Sequence, residues 1–222
     1  MVNYFKMGMR WCAILFCILN FSLSAKAQKQ TYPQDYYQFP IRPGLSNSLA
    51  GVLGDLRTNH YHAGLDIRTE QREGLPVFAA AEGYVSKVAV QRSGYGNVIY
   101  LLHPNGQTTV YGHLLNFSSP LAEYIREAQY EKQSFEIDLT PEPGRFKFKK
   151  GEIIALSGNT GGSGGPHLHF EIRDSKNNYL NPLFFGFKEI KDVTPPKFVG
   201  LAIRPMDINA RVNQQYDRKG FT

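Results

Sequence analysis

The sequence predicts a mainly β, antiparallel domain that carries one short helical insertion. Six short runs of strand-forming residues, 77–81, 83–90, 97–103, 107–113, 151–157 and 167–173, follow one another at close spacing. Glycine-rich turns separate them, and strand does not alternate with helix as it would in βαβ units. One segment alone, within 119–130, has helical rather than alternating spacing.

Taken in chain order, the first 27 residues stand apart. Lys6 and Arg10 precede an apolar run over 11–23, and Ala25-Lys26-Ala27 offers a small-x-small cleavage site. This reads as a secretory signal peptide cut after Ala27, so the working protein is expected to be exported. The apolar run is too short for a membrane anchor, which needs roughly 20 residues. Cys12 and Cys17 both lie inside it, so the mature chain has no disulfide framework and no thiol to ligate metal. Cys17 follows Phe16 rather than a small residue, which argues against a lipoprotein. Losing Lys6, Arg10 and Lys26 takes Lys+Arg from 25 to 22 against 19 Asp+Glu, a formal charge of +3. That mild balance suits an anionic polymer such as cell wall. It gives no case for nucleic acid, because no basic stripe with interleaved aromatics is present.

Residues 28–49, rich in Tyr, Gln and Pro, read as an extended lead-in to a domain spanning 50–190. Pro104-Asn105-Gly106 predicts a hairpin between two of the strands, since Asn-Gly readily supplies positive φ. In the helical segment Leu121, Tyr124, Ile125 and Ala128 share a face, with Ser119 as N-cap and Pro120 in the first turn. A polar stretch continues to Pro141-Glu142-Pro143-Gly144, which makes 116–147 a surface insertion. Val193-Thr194-Pro195-Pro196 marks a boundary, and 191–222 reads as a linker and the start of a further, truncated β domain.

Chemistry concentrates in His62-Ala63-Gly64-Leu65-Asp66, Tyr111-Gly112-His113 and His167-Leu168-His169. If 167–173 is a strand, its period of two puts His167, His169, Glu171 and Arg173 on one face and Leu168, Phe170 and Ile172 on the other. Extended backbone likewise puts His62, Gly64 and Asp66 together, with Gly64 leaving room between two ligands. A helical pair of i,i+4 ligands fits poorly with Gly64 and the strand-rich surroundings. Three ligands from His62, Asp66 and one histidine of the His-Leu-His pair leave a position open for water, which distinguishes catalytic zinc from structural zinc. His113, sharing a face with Tyr111 and Thr109 at a strand end, suits proton transfer. His60 and His103 read as hydrogen-bonded structural residues. The glycine run at 158–165 has no Gly-Lys-Ser/Thr ending and leads into a strand, so it is no phosphate cradle; its expected task is to bring backbone close to an extended substrate.

In sequence, His62-Ala63-Gly64-Leu65-Asp66 resembles the H-x-G-x-D motif of the lysostaphin-type (LytM-like, M23) zinc endopeptidases. Gly74-Leu75-Pro76-Val77-Phe78-Ala79 with Gly83-Tyr84-Val85, Gly94-Tyr95-Gly96-Asn97, Tyr111-Gly112-His113-Leu114, Gly151-Glu152-Ile153-Ile154-Ala155 and 165–171 match the rest of that family's pattern in order, over about residues 50–187. The resemblance implies a compact antiparallel β domain of the duplicated-hybrid-motif kind with an open groove. It implies one zinc per chain on His62, Asp66 and His169, with His113 and His167 assisting catalysis, and peptide crosslinks of bacterial peptidoglycan as substrate. Two departures stand out. The gap between His113 and Gly151 is long, so the insertion is expected to wall one end of the groove and to restrict access or dock a regulatory protein. A substrate-side tyrosine six residues before the first ligand is replaced by Leu56, with Arg57 or His60 as substitutes.

Stem-to-stem crosslinks are the expected substrate, with polyglycine bridges as the alternative. A non-catalytic relative that binds cell wall or activates an amidase would have lost zinc ligands, and all three candidates are present here. A lipoyl-like carrier barrel has no carrier lysine at a tight turn and leaves the histidines unexplained.

Overall fold

Each of the six runs read as strands contains a strand in the computed structural model, though 77–81 does so only at Val77 and Phe78. The structure describes residues 32–58, 60–191 and 197–221. The signal peptide and the boundary at 193–196 lie outside the described residues. Among the described residues, no helix is long and apolar enough to cross a membrane.

The first strands are β1 (Leu49–Gly51), β2 (Leu65–Arg68), β3 (Pro76–Phe78) and β4 (Gly83–Val90). Next come β5 (Asn97–Leu102), β6 (Thr108–Gly112) and β7 (Leu114–Phe117), then helix α1 (Leu121–Lys132). The rest are β8 (Ile137–Leu139), β9 (Lys147–Phe148), β10 (Ile153–Ser157), β11 (His167–Arg173), β12 (Tyr179–Leu180), β13 (Leu201–Ile203) and β14 (Lys219–Phe221). The large sheet runs β1-β2-β11-β6-β5-β4-β8, with β12 on β11 and β9 on β4; a small sheet runs β3-β10-β7. Neighbouring strands in both are antiparallel. The strands β13 and β14 form a separate hairpin in the segment read as the start of another domain.

Alternation explains the layering. Ile99, Leu101, Tyr111, Phe170 and Ile172 point from the large sheet into one apolar core, which they share with Val77, Ile154 and Ala155 of the small sheet. The opposite face of the large sheet carries Val98 and Val110, flanked by Tyr95 and Tyr100. The turn between β5 and β6 is where Asn-Gly was expected; Gly106 alone takes positive φ (+78°), while Asn105 Oδ1 accepts the Gln107 N–H at 2.9 Å.

The lead-in proves to be part of the core. Tyr37, Phe39 and Ile41 alternate inward, Phe39 at 1% exposure and Ile41 at 0%, and Ile41 bridges to Val77. Phe39 packs edge-on against Phe187 from the other end of the domain. The domain therefore starts before residue 50.

The insertion is also placed differently from expectation. Leu121, Ile125 and Ala128 are the buried face of α1 as read, but Pro120 is the N-cap and makes no side-chain cap bond. Ser119 Oγ instead donates to Glu123 at 3.2 Å. Through β8 and β9 the insertion pairs with β4, the far edge from β2 and β11. It covers an edge whose free N–H and C=O groups would invite another strand. None of its residues lines the groove described below.

If the lead-in belongs to the core, Phe39→Ala should lower unfolding free energy by about 3–5 kcal/mol. Urea denaturation of the chelator-treated protein measures this, and a change under ~0.5 kcal/mol would make the lead-in an appendage.

Candidate metal centre

Strand register brings the site together. On β11, His169 lies opposite Asp66 of β2 on one side and Gly112 of β6 on the other. Residues directly opposite point to the same face of a sheet. Asp66 and His169 are therefore neighbours by register, and a side chain at 112 would crowd them. A Cβ on Gly112 would come within 3.2 Å of the Tyr95 ring and 3.4 Å of His169. His62 enters from the loop before β2, which is anchored by the backbone bonds of Gly54 N–H to His62 O and His62 N–H to Asp55 O.

Gly64 serves this arrangement, though not as a spacer between ligands. A Cβ there would lie 2.3 Å from the Phe170 carbonyl oxygen, so glycine is what lets this stretch approach β11. The glycine run at 158–165 divides in the same way. Gly158 and Gly161 are packed against the protein's own backbone, and Gly162 N–H donates to Gly94 O at 2.8 Å. Only Gly164 and Gly165 face open space, as expected for backbone near a substrate.

The ligand atoms of His62, Asp66 and His169 all lie within 4.8 Å of one another, and all three residues are buried. Asp66 Oδ1 is 2.8 Å from His62 Nε2, 3.1 Å from His169 Nδ1 and 3.4 Å from His167 Nε2. Burial opposes a charge on Asp66, but a proton carried on the facing imidazoles of His167, His169 and His62 bonds to it and outweighs burial. The carboxyl is held far below its usual range until a metal ion takes that proton's place.

Outer partners assign the tautomers. His62 Nδ1 lies 2.9 Å from Val52 O, which can only accept, so Nδ1 carries the proton and Nε2 is a bare lone pair. His169 Nε2 donates at 2.8 Å to Glu171, so the neutral ring has a bare Nδ1. Burial lowers the pKa of this imidazole, but Asp66 and Glu171 outweigh burial and raise it, so a proton fills Nδ1 where no metal does. Glu171 is fully buried; burial raises its carboxyl, but His169, Arg173 and Tyr95 together bring it below the usual range. It accepts Arg173 Nε at 2.7 Å and Tyr95 O–H at 2.6 Å. In the neutral tautomers three acceptors thus converge: two imidazole nitrogens and a carboxylate oxygen. Only a cation, a proton or a metal ion, satisfies that geometry. Ligands held at about 2.0–2.1 Å around one zinc would be a little over 3 Å apart, close to the separations seen.

Two more imidazoles adjoin the triad. The rings of His113 and His167 are 4.7 Å apart, and His113 is 5.8 Å from His169. His113 Nδ1 donates to Thr160 O at 2.8 Å and His167 Nδ1 to Gly165 O at 2.8 Å, so each keeps a bare Nε2. Burial, helped by the neighbouring His167, pushes His113 down to about 4 and keeps it neutral at pH 7. His113 does not share a face with Tyr111. Its φ of +58° breaks the alternation between β6 and β7, while Tyr111 points into the core and its hydroxyl accepts the Ala80 N–H.

All five expected residues meet in one groove of about 860 Å³, lined also by Arg57, Tyr61, Tyr95, Gly164 and Tyr179. Leu56 is 79% exposed, whereas Arg57 Nη2 donates to Asp66 Oδ2 at 2.7 Å. His60 lines the groove too. His103 is the buried structural residue expected, bonded to Glu82 O and Thr109. Tyr95 escaped the sequence reading as a site residue; the glycines on either side of it were the available signal.

A family model, peptidase family M23, matches residues 60–130 and 145–182, stretches that contain all five of these residues. The chain belongs to that family. An uncharacterized metalloprotease of Haemophilus influenzae is 33% identical over 163 residues, 70% of this chain and 28% of the relative. The DD-carboxypeptidase/endopeptidase Mpg of Neisseria meningitidis serogroup B is 33% identical over 118 residues, 53% of this chain and 21% of that protein. The chain therefore spans under a third of either relative's length. A chain of the SpoIIQ–SpoIIIAH pore-forming complex superposes with a TM-score of 0.52 at 23% identity, covering 70% of this chain and 93% of the other, a likeness of fold.

Because Glu171 fixes the tautomer of His169, Glu171→Gln should weaken zinc binding about 10–100-fold. Competition against a chromogenic chelator reads this directly, and unchanged affinity would remove Glu171 from the site.

Proposed function

We propose that this chain is a secreted, zinc-dependent endopeptidase that hydrolyses peptide crosslinks of bacterial peptidoglycan. The observation that carries the reading is the buried convergence of His62 Nε2, Asp66 Oδ1 and His169 Nδ1 beside two further imidazoles with bare Nε2 atoms. Membership of a metallopeptidase family supports it, as does a relative named for DD-carboxypeptidase and endopeptidase activity. The basic, apolar and small-x-small pattern of 1–27 supports export to the periplasm or cell envelope.

His62, Asp66 and His169 would hold one zinc. When bound, zinc polarises a carbonyl and lowers the pKa of a water to about 7. The protein's own residues then account for the rest. Glu171, backed by Arg173, keeps the His169 ring oriented, and the Val52 carbonyl does the same for His62. His113 and His167 present acceptors at the groove floor, where one removes a proton from the attacking water and returns it to the leaving amine. Gly164 and Gly165 leave a wall without side chains, against which extended substrate backbone can lie. The complete ligand set supports the enzyme over a non-catalytic wall-binding or amidase-activating relative. A regulatory protein seated on the 116–147 insertion would act from the far edge of the sheet, not by plugging the groove.

Protein from residue 28 onward should bind one zinc per chain and release free amines from purified peptidoglycan. Chelation should stop that release and added zinc restore it. His169→Ala should lose both zinc and turnover. His113→Ala should keep zinc and lose ~10²–10⁴-fold in kcat. Full activity in His113→Ala would refute its role, and bound zinc without cleavage of any peptidoglycan would refute the proposed activity.

A further inference from the structure

Among the described residues, Arg57 is the one ionic side chain lining the groove apart from the proposed metal ligand Asp66 and the histidines. Arg57 sits in the loop between β1 and β2, where its N–H donates to His60 O and Leu56 bridges to Tyr61. Its Nη2 reaches Asp66 Oδ2 at 2.7 Å, the carboxylate oxygen not shared with the imidazoles. Among the described residues that is the one acceptor its side chain has. The side chain is 38% exposed and lines the groove. Asp55, the other carboxylate nearby, accepts the Val52 N–H at 2.9 Å instead.

The position is built for a guanidinium. A Cβ at Gly51 would fall 2.4 Å from Arg57 Nη2 and 2.8 Å from Asp66 Oδ2, so glycine leaves the space that this guanidinium–carboxylate contact occupies. A guanidinium carries five N–H donors in a planar fork suited to carboxylates. One of them is engaged by Asp66, and the group lines the same groove as the metal ligands.

We propose that Arg57 is a specificity residue that binds the carboxylate on the α-carbon of the leaving amine. This rests on the peptidase reading above and deepens it. A crosslink whose amine belongs to the D-centre of a dicarboxylic diamino acid carries such a carboxylate, two bonds from the scissile nitrogen. A terminal D-Ala-D-Ala bond carries one in the same place, so one anchor serves endopeptidase and carboxypeptidase cleavage alike. Interior glycine–glycine bonds and lysine side-chain amines carry none. Stem crosslinks with the free carboxylate are therefore the substrate class, and polyglycine bridges are not. In the hydrolysis itself the C–N bond breaks, the acyl carbon gains the water's hydroxyl and the amine gains its proton; Arg57 is unchanged.

The test uses zinc-loaded protein and two crosslinked muropeptide dimers that differ only at the leaving amine's α-carbon, free carboxylate against carboxamide. Wild-type protein should favour the carboxylate ~10–100-fold in kcat/KM, the worth of a charge-assisted hydrogen bond. Arg57→Met should bring the ratio toward unity by losing rate on the carboxylate dimer, with one zinc per chain retained. Arg57→Lys should recover part of the preference, and it decides the matter if the Met variant does not fold. Equal wild-type rates on the two dimers would overturn the inference while leaving the peptidase standing. Arg57→Met slowing both dimers alike would also overturn it, reducing Arg57 to a support for Asp66. Cleavage of neither dimer nor of peptidoglycan would remove the peptidase reading and this inference with it.

Discussion

Three hydrogen-bond acceptors face one another in a buried space, and the rest of the structure is arranged around keeping them there. His62 Nε2, Asp66 Oδ1 and His169 Nδ1 are neighbours because the β2–β11 register sets Asp66 opposite His169. Each has its outer atom committed elsewhere: Val52 O takes the His62 proton, Glu171 takes that of His169, and Arg57 occupies Asp66 Oδ2. An unmatched buried acceptor costs about 1–3 kcal/mol. A cation among the three removes that penalty, so metal affinity and fold stability are linked here.

The surrounding framework explains how such a cluster is tolerated. Glu171 would be an expensive buried charge were it alone. Arg173 neutralises it, and Tyr95 and His169 complete its hydrogen bonds, so the pair is both charged and fully partnered. Arg173 also stacks over Tyr100 and Tyr179, which carries the groove's electrostatics into the packing of the outer sheet face. Close approaches set the remaining distances: a methyl group would collide at Gly51 and Gly64 and would crowd Tyr95 and His169 at Gly112.

Much of this was legible beforehand, and the exceptions have physical causes. Strand alternation placed His167, His169, Glu171 and Arg173 on one face because β11 is regular. The same rule failed at His113, where a left-handed residue between β6 and β7 turns the ring around; nothing in Tyr111-Gly112-His113 marks the histidine rather than the glycine as the positive-φ residue. The alternation of Tyr37, Phe39 and Ile41 did signal a core segment, but flanking prolines and tyrosines made it look like a tether. The insertion's helix could be read from its spacing, whereas its place at the β4 edge depends on strand order, a long-range property. Arg57 was named only as a substitute for a missing tyrosine, since its reach to Asp66 depends on Gly51 in another strand.

X-ray absorption at the zinc edge of the loaded protein tests the central claim most directly. One zinc bound by two imidazoles and one carboxylate at about 2.0–2.1 Å is the expected result, a shell that stays unchanged in His113→Ala, whereas His62→Ala, like His169→Ala, should lose the zinc. A shell of three or more imidazoles, or one that loses an imidazole in His113→Ala, would contradict it.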